Sequence, residues 1–293
     1  MRAPRPTVAV IGTGAVATVA ASAAEQAGLD VVICARSPVS SVVLELDGQE
    51  RRLAAAITCD PGRVQPAGWV LLATKAHQTQ QAGPWLARLC RPGTVIVVLQ
   101  NGVDHTERVH PLAAGATVVP ALVYVAAERV APGRVVHRRG RRIVMPAGPA
   151  AREFAALMAT SWLQITEDDD FLTAAWRKLL SNVAANPITA LTGCRLGVLR
   201  GREVRELARE LLAEAVAVGM AEGAQLSADD VPRTLAFYDE FAEQDGTSML
   251  YDRLAGRSLE HEQFSGAVTR LGRRHGVPTP VNQAMYALLG ALT

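Results

Sequence analysis

The sequence holds little that would tie it to a disulfide scaffold, a membrane or a polyanion. Its 293 residues include only four cysteines, Cys34, Cys59, Cys90 and Cys194, with no Cys-x-x-Cys pair. Scattered thiols fit a reducing cytoplasm better than a disulfide framework, and the six histidines fall in no metal-ligand spacing. Thirty basic residues stand against 28 acidic ones, a net charge of +2 that gives no general pull toward nucleic acid or anionic lipid. No apolar run is long enough to span a bilayer. The opening MRAPRPTVAVIG has two prolines and runs straight into a strand-like stretch, without the apolar core or cleavage site of a signal peptide. The expectation is a soluble cytoplasmic protein that handles a small molecule, without metal, nucleic acid or membrane.

Hydrophobic residues make up 49% of the chain, ample for real cores, and the length suits about two domains at roughly 150 residues each. The N-terminal half alternates strand and helix. Apolar runs at 8–11, 30–35, 69–73 and 94–99 read as buried parallel strands. An alanine-rich helix follows the first, and a helix is expected at 77–90. The Asp-Gly pair in LELDGQERRLA predicts a hairpin. This alternation predicts an α/β class with a doubly wound Rossmann sheet. The basic run RRGRR (138–142) reads as a solvated hairpin turn at Gly140.

Beyond Thr166 the texture changes. The acidic TEDDD (166–170) resembles a helix start, where negative charge suits unpaired amides. Helical patterns then continue to the end, including an amphipathic stretch at 201–222 and another at 258–275 with Ser258 as N-cap. The expected domains are therefore 1–167, Rossmann, and 168–293, all-helical. The active site is expected in the cleft between them, with a hinge around 166–170. The apolar face of 201–222 is either core or the interface of a homodimer.

The stretch GTGAVA (12–17) fits the dinucleotide-binding pattern in the required place, after a strand and opening a helix. Gly12 allows the tight turn, and Gly14 lets backbone approach a pyrophosphate. Thr13, Ala15 and Val16 complete the loop, while Ala17 keeps helix and sheet close. What is missing nearby sets the cofactor type. An NAD site usually has Asp or Glu at the end of the second strand, but here that strand ends Cys34-Ala35-Arg36-Ser37, with no acid until Glu45. Arg36 can pair with a 2′-phosphate, so NADPH is expected. Lys75 in Thr74-Lys75-Ala76 and Asn101 in Gln100-Asn101-Gly102 follow later strands, at the edge where the nicotinamide half would lie.

In WRKLLSNVAANP (176–187), Lys178, Asn182 and Asn186 are spaced i, i+4, i+8 along one helix face, flanked by Leu179, Leu180, Val183 and Ala184. Pro187 is expected to end the regular turn. The row is either an exposed polar stripe or a site for a substrate with a carbonyl, hydroxyls and a carboxylate. An ammonium can polarise and protonate a ketone oxygen, and amides can bond hydroxyls.

Taken together, GxGAV at 12–16, TKAHQ (74–78), QNG (100–102), WRKLLSNVAANPITAL (176–191), TSMLYD (247–252) and Glu260 in LEHEQFSGAV resemble the ketopantoate reductase family across nearly the whole chain. The glycine loop is common among dehydrogenases; the Lys-x-x-x-Asn-x-x-x-Asn helix with the Ser-Met-Leu…Glu segment is distinctive. The resemblance implies NADPH-dependent reduction of 2-dehydropantoate, a 2-oxo acid, to pantoate for coenzyme A synthesis. It implies Lys178 as general acid, with Glu260 assisting it and contacting cofactor. Asn101, Asn182, Asn186 and Ser248 would hold substrate, Lys75 and Asn101 would line the nicotinamide pocket, and Arg36 would meet the 2′-phosphate. Two stretches depart from the family pattern. A frequent Asn-Gly-x-Leu reads Leu196-Gly197-Val198-Leu199, and a frequent Tyr-Ile-Asn-Gly reads Gln263-Phe264-Ser265-Gly266. Both remove an amide and bear on the substrate more than on the reaction.

Three other readings fit part of the pattern. A paralogue would keep the chemistry and reduce another 2-oxo acid or ketone, which Leu196 and Ser265 favour. A β-hydroxyacid dehydrogenase would also pair a Rossmann domain with a helical one, but Arg36 and the Ser248…Glu260 segment oppose it. A non-catalytic NADP(H)-binding regulator would bind cofactor without turnover, and the presence of both Lys178 and Glu260 opposes that.

Overall fold

The computed structural model describes residues 7–292. Residues 1–6, which carry the opening prolines used above to argue against a signal peptide, and residue 293 lie outside the described residues. The chain divides into two compact units, one running to Gln100 and resuming at Asp104–Phe171, the other made of Asn101–Val103 and the chain from Leu172 onward.

The first unit is built from β1 (Thr7–Ile11), α1 (Ala15–Gln26), β2 (Asp30–Cys34), β3 (Val43–Leu46), β4 (Gln49–Arg52), β5 (Ala56–Thr58) and β6 (Trp69–Leu72). It continues with α2 (Gly83–Leu89), β7 (Val95–Val98), α3 (His105–Val109), β8 (Thr117–Pro120), β9 (Leu122–Ala131), β10 (Arg134–Pro146), α4 (Pro149–Leu157) and β11 (Gln164–Asp168). Six strands form a parallel sheet in the order β5-β2-β1-β6-β7-β8. Counted in chain order within that sheet, this is 3-2-1-4-5-6, the Rossmann order, whose topology reverses between β1 and β6. The central strands are apolar throughout because both faces are covered. Val70 and Leu72 pack with Trp85, Leu86 and Leu89 on one side, while Val8, Val10 and Leu71 face α1 on the other.

The remaining strands make a second sheet, β11-β10-β3-β4, with β9 antiparallel to β10. Helix α1 packs on strands of both sheets, and every residue from Ala17 to Ala24 is buried. Alanine suits such a helix, since a small side chain lets backbone approach a sheet on either side. The Asp47-Gly48 turn joins β3 to β4 as the sequence predicts, both residues having positive φ.

Three local expectations for this unit are corrected. First, RRGRR is not a hairpin turn. β10 runs through it, and the turn lies earlier, between β9 and β10. Gly140, at φ +79°, instead sits where the pairing with β9 loses register, and a methyl there would come 2.3 Å from Tyr124 O. Arg138 pairs with Glu128 at 2.7 Å and Arg141 with Asp47 at 2.6 Å, and Arg142 lies 4.6 Å over the Tyr124 ring. Second, TEDDD is mostly β11, parallel to β10, because Ile165 is drawn into the apolar cluster beneath the sheet. Third, the helix expected at 77–90 is two short 3-10 turns, 76–78 and 80–82, before α2. Pro84 lacks an N–H, so the regular helix begins around it.

The second unit is helical: α5 (Phe171–Val183), α6 (Ala185–Thr192), α7 (Arg202–Ala221), α8 (Asp230–Asp239), α9 (Ser248–Leu254), α10 (Ser265–His275) and α11 (Pro280–Gly290). The apolar face of α7, with Ala208, Leu211, Leu212 and Ala215, is core, covered by α8, α10 and α11; it is not a free dimer face. Trp176 is fully buried and anchors α5 on α7, where a methyl at Gly219 would come 2.9 Å from its ring. Ser258 is exposed and caps no helix among the described residues. The helix expected from 258 starts at Ser265, because Phe264 has a non-helical backbone (φ −110°, ψ −97°).

Candidate functional site

At the carboxyl ends of β1 and β6, Gly12 N donates to Cys34 O at 2.9 Å. Its φ is +125°, and a methyl there would lie 3.0 Å from Ala73 O. Both the turn and the crowding require glycine. Gly14 differs: its φ is −79° and nothing lies within 4 Å of the Cβ position. Among the described residues no protein atom requires a glycine there, which leaves room for a ligand to approach the backbone. Gly14 is the N-cap of α1, no side chain caps that terminus, and its first turn holds no acid. The leading amides of α1 therefore have no side-chain acceptor, an arrangement that suits an anion. Thr13, Ala15 and Val16 are half-buried, and Ala17 is buried against the sheet. Arg36 and Ser37 are exposed beyond β2, and Arg36 forms no ion pair among the described residues. These features fit an adenine dinucleotide carrying a 2′-phosphate.

A buried glutamine that sequence reasoning overlooked organises the neighbouring edge. Gln100 Nε2 donates to Thr74 Oγ1 at 2.9 Å, and Gln100 Oε1 accepts from Thr79 Oγ1 at 3.1 Å and from Arg108 Nη2 at 3.2 Å. Its carbonyl lies 2.8 Å from His105 Nε2. Arg108 is in turn paired with Asp104. The network ties the segments after β6 and β7 together and so fixes the backbone beside half-buried Lys75. A glutamine between an apolar strand and an Asn-Gly pair reads as turn chemistry, which hid this role.

In the second unit, the row beginning at Lys178 spans a break. α5 stops at Val183 and α6 begins at Ala185, so Pro187 lies inside the first turn of α6 rather than ending a helix. Pro187 has no N–H to offer the carbonyl four residues back, so the discontinuity falls one turn ahead of it. The polar side chains nonetheless remain linked. Asn182 Nδ2 donates to Lys178 O at 3.0 Å, and Asn186 Nδ2 donates to Asn182 Oδ1 at 2.9 Å. Asn186 Oδ1 accepts from Ser248 Oγ at 3.4 Å and from the Met249 amide at 3.3 Å. Asn186 is buried, and Lys178 and Asn182 are half-buried, which rules out an exposed polar stripe.

Ser248 is free to join this chain because Thr247 does the capping: Thr247 Oγ1 accepts from Leu250 N and lies 2.7 Å from Thr189 Oγ1. The sequence reading passed over Thr247, although a threonine just ahead of SMLYD is an N-cap signal; nothing in the pattern pointed to Thr189.

Glu260 is buried in non-helical backbone, and its Oε2 accepts from Asn101 Nδ2 at 3.2 Å. Its charge also acts on Lys178. Loss of water around the ammonium lowers the Lys178 pKa from 10.5 to about 8, with Glu260 raising it against that trend. Desolvation wins. Lys178, Asn182, Asn186, Ser248, Glu260 and Asn101 thus all belong to one unit, while Gly12–Ala17, Arg36 and Lys75 belong to the other.

A Rossmann sheet with an open glycine loop, together with a helical unit bearing a desolvated lysine, defines a dinucleotide-dependent class of protein. Comparison with known proteins narrows it. Residues 8–150 match the family model described as "Ketopantoate reductase PanE/ApbA", and residues 170–293 match its C-terminal counterpart. The chain belongs to the ketopantoate reductase family. It is 39% identical over 286 residues to a 2-dehydropantoate 2-reductase of Mycobacterium tuberculosis, covering 97% of each chain. It is 37% identical to one of Caulobacter vibrioides, covering 97% of this chain and 98% of the other. A dimeric ketopantoate reductase from Staphylococcus aureus superposes with a TM-score of 0.89 at 27% identity, covering 98% of both chains. No helix among the described residues is long and apolar enough to cross a membrane.

Proposed function

We propose that this chain is an NADPH-dependent oxidoreductase that reduces 2-dehydropantoate to pantoate. The observation that carries the reading is the linked set of Lys178, Asn182, Asn186 and Ser248, headed by a lysine whose pKa is near 8. When bound, NADPH would supply a hydride for the carbonyl carbon. Lys178 hydrogen-bonds the carbonyl oxygen and gives it a proton as negative charge builds there, so its ammonium interacts more strongly with the transition state than with the ketone. Glu260, steadied by Asn101, helps keep Lys178 protonated. Asn182, Asn186 and Ser248 hold the substrate hydroxyl and carboxylate through amide and hydroxyl groups. The α1 amides and Gly14 take the pyrophosphate, Arg36 the 2′-phosphate, and Lys75 the nicotinamide side.

A second reading, reduction of another 2-oxo acid, draws on two positions. Leu196 packs in the helical core, and Ser265 is fully buried with an unpartnered hydroxyl among the described residues, so neither offers the amide common in the family. NADPH oxidation followed by absorbance with 2-dehydropantoate and a panel of 2-oxo acids separates the two. Selective turnover of 2-dehydropantoate supports the first, and preference for another keto acid supports the second. Cofactor binding without any turnover would sink both. A homodimer is the assembly to test by light scattering, with its interface away from the occupied face of α7.

A further inference from the structure

The break between α5 and α6 is held by a tyrosine that has no part in the chemistry above. In an unbroken helix the Leu180 carbonyl would accept from the Ala184 amide. Here Ala184 is a turn residue between the two helices, its φ stretched to −103°, and Tyr238 of α8 reaches in from 58 residues away to donate to Leu180 O at 2.9 Å. The amides of Ala184 and Ala185 face the same phenol oxygen. One hydroxyl hydrogen and two lone pairs therefore serve three backbone groups that the break releases. Leu180, Ala184, Ala185 and Tyr238 are all buried, so water is not at hand to replace the hydroxyl. Burial also pushes the phenol pKa up, which keeps the proton in place for Leu180.

We infer that Tyr238 is a positioning residue that sets the angle between α5, carrying Lys178 and Asn182, and α6, carrying Asn186. The inference rests on the proposed reading that these residues hold a 2-oxo acid. Among the described residues Tyr238 hydrogen-bonds none of their side chains; it acts through the backbone between them. The glycine loop and Arg36 lie in the other unit, so KM for NADPH serves as the internal control.

Steady-state kinetics on full-length Tyr238→Phe tests this. The expected result is a rise of about tenfold in KM for the 2-oxo acid, the size of one well-placed hydrogen bond, with KM for NADPH unchanged. Val231→Ala, on the same helix and in the same core, should lower Tm without moving either KM. Pro187→Ala restores an N–H at the break and lets α5 run on into α6, so it should raise the same KM even if Tyr238→Phe fails to fold. Wild-type KM in Tyr238→Phe or Pro187→Ala, or an equal rise in Val231→Ala, would overturn the inference. A wild-type chain that turns over no 2-oxo acid would overturn the reading beneath it.

Discussion

Asn101 and Glu260, 159 residues apart in sequence, are joined by a hydrogen bond of 3.2 Å from the amide to Oε2. The bond fixes the carboxylate whose field opposes the desolvation of Lys178. With burial the stronger effect, the lysine titrates near pH 8, within reach of ordinary assays.

In the proposed mechanism reduction needs Lys178 protonated. Its pKa of about 8 therefore predicts that kcat/KM for reduction is level below pH 8 and falls roughly tenfold per pH unit above it. Oxidation of the product alcohol needs the neutral amine and should rise through the same range. Lys178→Ala should lose about 10²- to 10⁴-fold in kcat, the usual contribution of a general acid. A reduction profile that stays flat to pH 10 would assign the proton to another group.

Glu260→Gln separates electrostatics from packing. Removing the charge leaves only desolvation acting on Lys178, so the alkaline limb should move below pH 8. Activity at pH 6 should suffer less than activity at pH 8. A limb that stays in place would mean that Glu260 does not act on Lys178 through its charge.

The two loop glycines should fail differently. Gly12→Ala forces a left-handed backbone and a contact with Ala73 O, so both Tm and NADPH binding should fall. Gly14→Ala meets only open space, so Tm should hold while the Kd for NADPH rises. Calorimetry beside fluorescence titration distinguishes these outcomes, and loss of fold in Gly14→Ala would remove the argument that a ligand explains that glycine.

Residues that meet a ligand announce themselves in sequence when local chemistry has no other use for them. The glycine loop, Arg36 without a neighbouring acid and the Lys178 row stood out as candidates for that reason. Strands at 30–35, 69–73 and 94–99 were legible because burial on both faces makes them continuously apolar. Positions decided by distant partners were not. Gly140 reads as a turn until Tyr124 is seen beside it, and TEDDD reads as a helix start until β10 pairs with it. Pro187 marked a break, but the chain yields one turn earlier, where Tyr238 supplies the missing bonds. Gln100 and Thr189 gain their roles wholly from groups that the fold brings to them.

Arg36 sits exposed at the end of β2, where no acid follows before Glu45. A guanidinium there attracts a 2′-phosphate, and the same place without an acid has nothing to hold the bare ribose diol of NADH. Arg36→Ala should therefore raise KM for NADPH by about 10- to 100-fold, the worth of a charged hydrogen bond, and leave KM for NADH nearly unchanged. Adding an acid in its place, Arg36→Asp, should go further and repel the phosphate while bonding the diol, reversing the preference. Neither change should move KM for the 2-oxo acid, because Asn182, Asn186 and Ser248 are untouched. Parallel titrations of both coenzymes decide it: equal losses with NADPH and NADH would show that Arg36 supports the loop itself rather than reading the phosphate.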